Sequence, residues 1–122
     1  MKKSPLFINL SNHPLDQWDE KQRAAAAQFG EAQDMPFPQI DPDASNDDIE
    51  ALVNDYVAKI ITLAERHDVT VHIMGEMVFT YRLVQHLKEH NIRCVASTAQ
   101  RNVIQRDNTK IAVFNFVEFR EY

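Results

Sequence analysis

The chain has 122 residues and 14.1 kDa, is 44% apolar and 25% charged, and carries a formal charge of -5 with a pI near 5.4. Such a composition fits one globular domain over residues 1–122 that buries roughly two-thirds of its unfolded surface. The acidic balance argues against wrapping a long nucleic acid, because affinity for a phosphate backbone grows with the phosphates neutralised. A small anionic ligand in one local pocket stays open. With only Gly30 and Gly75, neither a P-loop nor a G-x-G-x-x-G fingerprint can be written, and the single Cys94 excludes a disulfide framework or a Cys-rich zinc cluster. No apolar run approaches the ~20 residues of a membrane span, and no signal-peptide core follows Lys2-Lys3. The expectation is a soluble, cytoplasmic protein with no membrane partner.

In chain order, Leu6-Phe7-Ile8-Asn9-Leu10 is a short apolar run between Pro5 and Ser11-Asn12-His13-Pro14, and it predicts a buried first strand. A helix follows, with Asp16 as its cap, Leu15 as a staple, and Trp18, Gln22, Ala25 and Phe29 on one side. Gly30 stands where a left-handed C-terminal cap is expected. Ala32 to Phe37 predicts a short strand stopped by Pro36 and Pro38, and Gln39 to Asn46 a polar connection. The stripe Ile49, Leu52, Val53, Tyr56, Val57, Ile60, Ile61, Ala64 predicts a second helix from Asn46 to about His67. Val69 to Met74 reads as a strand ending at Gly75, and Met77, Thr80, Tyr81, Val84 and Leu87 carry a third helix towards Asn91. Ile92 to Ala96 reads as a fourth strand ending in Ser97-Thr98-Ala99-Gln100-Arg101. The tail reads as a hairpin: Asn102 to Gln105, a turn at Arg106 to Thr109, then Ile111 to Phe119.

Alternating strands and helices predict an α/β fold, a small Rossmann-like three-layer domain with a mostly parallel sheet and a C-terminal antiparallel β-hairpin. Right-handed crossovers give the strand order 2-1-3-4, with the hairpin beyond strand four and a switch point between strands one and three. Ligands of open α/β sheets bind outside the carboxyl ends of the strands near that point. Three polar motifs collect there. Ser11, Asn12 and His13 precede the first helix and can orient a phosphate or an attacking hydroxyl; equally, they are ordinary turn formers. Gly75 allows a tight turn or close backbone approach, and Glu76 either bonds a sugar hydroxyl or base or simply offsets the helix dipole. Ser97, Thr98 and Arg101 offer two hydroxyls beside a guanidinium for phosphate oxygens, against the alternative of a solvated turn. His72 reads as a hydrogen-bonded core histidine, and Cys94 as an inert core thiol. His86 and His90 have the spacing of a metal pair, but no H-E-x-x-H pattern accompanies them, helix-end histidines commonly complement the dipole, and no metal or cofactor is expected.

Two segments, Phe7-Ile8-Asn9-Leu10-Ser11-Asn12-His13-Pro14 and Cys94-Val95-Ala96-Ser97-Thr98-Ala99-Gln100-Arg101, resemble small single-domain CRISPR-associated proteins related to the CRISPR-associated Rossmann fold. There a first strand ends in a Ser/Asn/His-Pro turn and the fourth in a Ser/Thr-x-x-Arg segment. The resemblance implies antiviral defence through binding of a cyclic oligoadenylate second messenger across a homodimer, which some members degrade and others only sequester. It implies that Ser11, Asn12 and His13 line the adenylate pocket and that Thr98 and Arg101 hold phosphate. The chain departs from that pattern in having few basic residues at the strand ends and no obvious catalytic lysine.

For a ring nuclease, the expected chemistry is metal-independent: a ribose 2′-hydroxyl attacks its adjacent phosphate, Arg101 stabilises charge, and His13 acts as general acid or base. The rival expectations are a non-catalytic sensor or sink for the same ring, and a structural dimeric module with no nucleotide. Apolar residues on both faces of Ile111 to Phe119 favour a partner subunit in any of these cases.

Overall fold

The computed structural model describes residues 3–122. Strand β1 spans Ser4–Ser11, followed by a 3-10 turn at Leu15–Gln17, helix α1 at Glu20–Ala27, β2 at Glu31–Asp34, α2 at Asn46–Ala64, β3 at His67–Met74, α3 at Met77–Glu89, β4 at Arg93–Arg106 and β5 at Thr109–Glu121. The sheet order is β2-β1-β3-β4-β5, with the first three pairings parallel and β4-β5 antiparallel. The fold is therefore mixed α/β with a mostly parallel five-stranded sheet and a C-terminal hairpin, in the expected strand order.

Side chains on β1 and β3 alternate between two cores, as the pleat requires. Leu6, Ile8, Leu10, Val69, Val71 and Ile73 pack beneath α2 and α3, against Ile49, Val53, Val57, Ile60, Phe79, Leu83 and Leu87. On the other face Phe7 and Val95 meet Trp18, Ala26, Phe29 and Phe119, a smaller cluster under α1 and the inner end of β5. The amphipathic stripe of α2 and its Ser45–Asp48 capping box explain why this helix forms where the periodicity predicts.

Several boundaries differ from expectation. Asp16 does not cap α1; Pro14 opens the short 3-10 turn, and Asp19 caps instead, its Oδ1 accepting the Gln22 N–H at 2.8 Å. Strand β2 pairs only from Glu31 to Asp34, short of Phe37, because Pro36 has no N–H to continue the ladder. His67 starts β3 rather than ending α2. Gly30 is not a left-handed cap: its φ is +151°, and a Cβ there would lie 2.6 Å from the Pro5 carbonyl carbon, so the backbone of β1 occupies the space.

The largest difference is β4, which does not stop at Ala96. No Gly or Pro interrupts the chain from Arg93 to Arg106, and β5 pairs with it throughout, from Val95↔Glu121 to Arg106↔Thr109, with one register shift between Ser97 and Ala99. The hairpin strand expected at Asn102 to Gln105 is the outer half of this one strand, turned by Asp107 at φ 52°. Because the β3–β4 pairing reaches only to His72↔Val95, the outer hairpin extends past the parallel sheet.

Candidate functional site

A cleft of about 550 Å³ opens at the carboxyl ends of β1 and β3, beside the bulged stretch of β4. It brings together Ser11, Asn12 and His13 from the turn after β1, Gly75 after β3, and Ser97 and Thr98 from β4. Trp18, Phe114 and Phe116 add aromatic walls, and Gln17, Gln22, His72, Met74 and Ala99 complete the lining.

A continuous hydrogen-bond network runs beneath this cleft. Asn9 and His72 face each other in the parallel register of β1 and β3, and both are almost fully buried, 1% and 2% exposed. Asn9 Nδ2 donates to Asp34 Oδ1 at 2.9 Å and to the His13 carbonyl at 2.8 Å. Both amide hydrogens are thereby used, and the reverse orientation would set its oxygen against a carboxylate and a carbonyl. Asn9 Oδ1, which also accepts the Ser11 hydroxyl at 2.8 Å, is thus the acceptor for His72 Nδ1–H at 2.9 Å. His72 Nε2 is then unprotonated and accepts the Ser97 hydroxyl at 2.7 Å, while Gln22 Nε2 donates to Ser97 Oγ at 3.0 Å. The network also secures the turn: the His13 carbonyl accepts Trp18 Nε1–H at 3.0 Å, and Asp34 accepts the Leu15 N–H at 3.1 Å.

Burial, and after it the charge of His13, lowers the pKa of His72 from 6.5 to about 4. The imidazole is therefore neutral at physiological pH. It lies among Phe7, Trp18 and Phe119, with ring centroids 6.2, 5.3 and 5.4 Å away. His13 is exposed at the rim.

Two of the residues singled out in the sequence lie elsewhere. Glu76 caps α3, its Oε1 accepting the Phe79 N–H at 2.7 Å, and does not line the cleft. Arg101 is exposed on the outer hairpin opposite Phe114, two pairs beyond Ala99↔Phe116, and is also absent from the lining. The expectation that β4 stops at Ala96, with Ser97 to Arg101 following its end, placed Arg101 too close, because the strand continues to Arg106. Thr98 lines the cleft, but its hydroxyl bridges the bulge, donating to the Glu118 carbonyl at 3.0 Å and accepting the Glu118 N–H at 3.1 Å. Gly75 is fixed by packing, since a Cβ would collide with the Phe37 ring.

Sequence reasoning placed His72 in the core with a hydrogen bond and overlooked what it bonds. Asn9, Asp34, Gln22 and the aromatic walls were not anticipated at all. The available signal was an asparagine and a histidine, each inside the buried stretch of a central strand. Elsewhere, His86 Nε2 lies 3.1 Å from Glu50 Oε1, and burial pushes the Cys94 thiol up to about 12, so it carries no thiolate at neutral pH. Beyond Met74 and Gly75 a second cavity of about 520 Å³ is walled by Met77, Tyr81, Val84 and Tyr122. Among the described residues no helix is long and apolar enough to cross a membrane.

No curated protein and no solved structure matches the chain. A family model does, over residues 5–120, nearly its whole length, and the chain belongs to that family, described as the uncharacterized protein MJ1673 family.

Proposed function

We propose that this chain is a small Rossmann-like domain, related to CRISPR-associated Rossmann-fold proteins and acting in the cytoplasm, that binds a cyclic oligoadenylate and opens the ring as a metal-independent ring nuclease. One observation carries the reading: the turn after β1, the His72–Ser97 pair and three aromatic side chains converge on a single cleft at the carboxyl ends of the adjacent strands β1 and β3. That is the place where open α/β sheets take ligands. Trp18, Phe114 and Phe116 offer faces for adenine, and hydroxyl, amide and imidazole groups offer partners for ribose and phosphate.

The cleft suits part of a ring rather than the whole. A second copy related by two-fold symmetry would supply the other half, matching a two-fold ligand to a two-fold dimer. The outer hairpin offers a surface for it in Val103, Ile104, Ile111, Phe114 and Val117, all between 44% and 65% exposed. Arg101 shares a hairpin face with Phe114, so a ligand larger than one cleft would reach it.

A second reading, a sink that binds the ring without opening it, is favoured by a cleft lining that holds no Lys or Arg among the described residues. Among the described residues, charge on a pentacoordinate phosphate then has neutral amide donors such as Asn12 and Gln17, with His13 and the more distant Arg101, to stabilise it. A thermal-shift series with cyclic and linear oligoadenylates tests binding, and chromatography after long incubation in excess EDTA separates the two readings. Binding with opened product supports the nuclease, binding with intact ring supports the sink, and no shift with any of them rejects both.

A further inference from the structure

We propose that Asn9, His72 and Ser97 form a proton relay that serves as the general base of this site, with Ser97 Oγ the atom that touches the ribose 2′-hydroxyl of a bound phosphodiester. The inference deepens the proposed function and rests on it. It assigns catalysis to a histidine and an asparagine that lie inside the two central strands.

The geometry is that of a base oriented by a third group. Nε2 is 2.7 Å from the serine oxygen, and Nδ1 is held at 2.9 Å by an amide whose own hydrogens are both committed. His72 is 2% exposed and Ser97 Oγ covers its Nε2, so a proton leaving the cleft passes through the serine. Ser97 Oγ accepts one hydrogen bond, from Gln22, and donates one, to His72, which leaves a lone pair free for a ligand hydroxyl. At the far end the Asp34 carboxylate, bonded to the Asn9 amide, offsets the charge that builds on His72. A purely structural role explains this poorly, because apolar side chains at both positions would fill buried parallel strands without any polar atoms to satisfy.

In the step itself the 2′-hydroxyl proton moves to Ser97 Oγ as the Ser97 proton moves to His72 Nε2. The 2′-O–P bond forms, the P–O5′ bond breaks, and the 5′-oxygen takes a proton from the protonated His13 imidazole at the rim. The products are a 2′,3′-cyclic phosphate and a 5′-hydroxyl, and no other reactant is needed.

The test uses the full chain with cyclic tetraadenylate and cyclic hexaadenylate as probes, comparing wild type, Ser97→Ala and Ser97→Thr. The expected result is binding within threefold of wild type for Ser97→Ala, with kcat lower by about 10²–10⁴-fold. Ser97→Thr, which keeps a hydroxyl, should recover most of the rate. Wild-type kcat/KM should fall on acidification towards about 4, where His72 takes a proton and the relay loses its base. Nitrogen NMR of the ligand-free protein gives a readout that needs neither variant nor ring: His72 should carry its proton on Nδ1. A proton on Nε2, or wild-type turnover by Ser97→Ala, overturns the relay while ring cleavage stands. A ring bound and returned intact overturns the relay and leaves the binding reading. No binding of either ring overturns both.

Discussion

Acidification should destabilise this fold through one side chain, His72. Burial and the neighbouring His13 charge hold its pKa at about 4 in the native protein, against 6.5 for an unperturbed histidine. Between those values the unfolded chain binds a proton that the native protein does not, so stability falls as pH falls. The contribution is fully present above 6.5 and is lost progressively down to about 4, by roughly 3 kcal/mol in total. That is a large share of the 5–15 kcal/mol typical of a domain. Urea denaturation of wild type and His72→Phe at a series of pH values from 7.5 to about 4.5 reads the effect, since the phenyl ring keeps the aromatic packing against Phe7, Trp18 and Phe119. At pH 7.5 the variant should be the less stable, because Asn9 Oδ1 loses one of its two donors and the Ser97 hydroxyl its acceptor. Its stability should then fall less steeply, closing about 2–3 kcal/mol of the gap by pH 4.5. Titrations common to both proteins cancel in the difference. Parallel curves would refute the reasoning, because they would mean that His72 takes up its proton as readily when folded as when unfolded.

Gly30→Ala should cost roughly 2–5 kcal/mol, since its Cβ meets the backbone of Pro5 and Leu6 and its φ of +151° is strained for any other residue; an unchanged thermal midpoint would contradict this. Arg101→Ala should leave the fold intact and weaken ring binding by ~1.5–3 kcal/mol if the ligand spans cleft and hairpin, and calorimetry showing wild-type affinity would remove Arg101 from the site. Sedimentation at micromolar concentration should show a dimer that Phe114→Lys disrupts, Phe114 being 65% exposed on the outer hairpin, whereas a clean 14.1 kDa wild-type monomer would remove the two-fold ligand site.

Much of the fold is legible in the sequence because its strongest signals are local. The α2 stripe, the β-branched run of β3 and the alternation of strand with helix together suffice for the strand order. Misjudged boundaries share a different cause, a partner distant in the chain. Nothing between Arg93 and Arg106 states that the strand continues; β5 determines it by pairing along the whole length. Gly30 looks like a helix cap because it follows α1, yet its conformation answers to the backbone of Pro5, twenty-five residues earlier.

The site follows the same division. Ser11, Asn12, His13, Ser97 and Thr98 are found by topology, because the ends of parallel strands meet at one edge of the sheet. Asn9 and His72 are hidden by their own setting, since a polar residue inside an apolar run reads as a tolerated exception. Their significance lies in the register, which the sequence does not state. Once β1 and β3 pair with Asn9 opposite His72, the two exceptions become one feature, a polar channel crossing the smaller core from Asp34 to the cleft. Two polar residues, one in each of two adjacent buried strands, are costly unless bonded to each other, and here each satisfies the other. Such coincident interruptions at one level of a parallel sheet are therefore a better guide to a site than either residue alone, and they end here at a serine that lines the cleft.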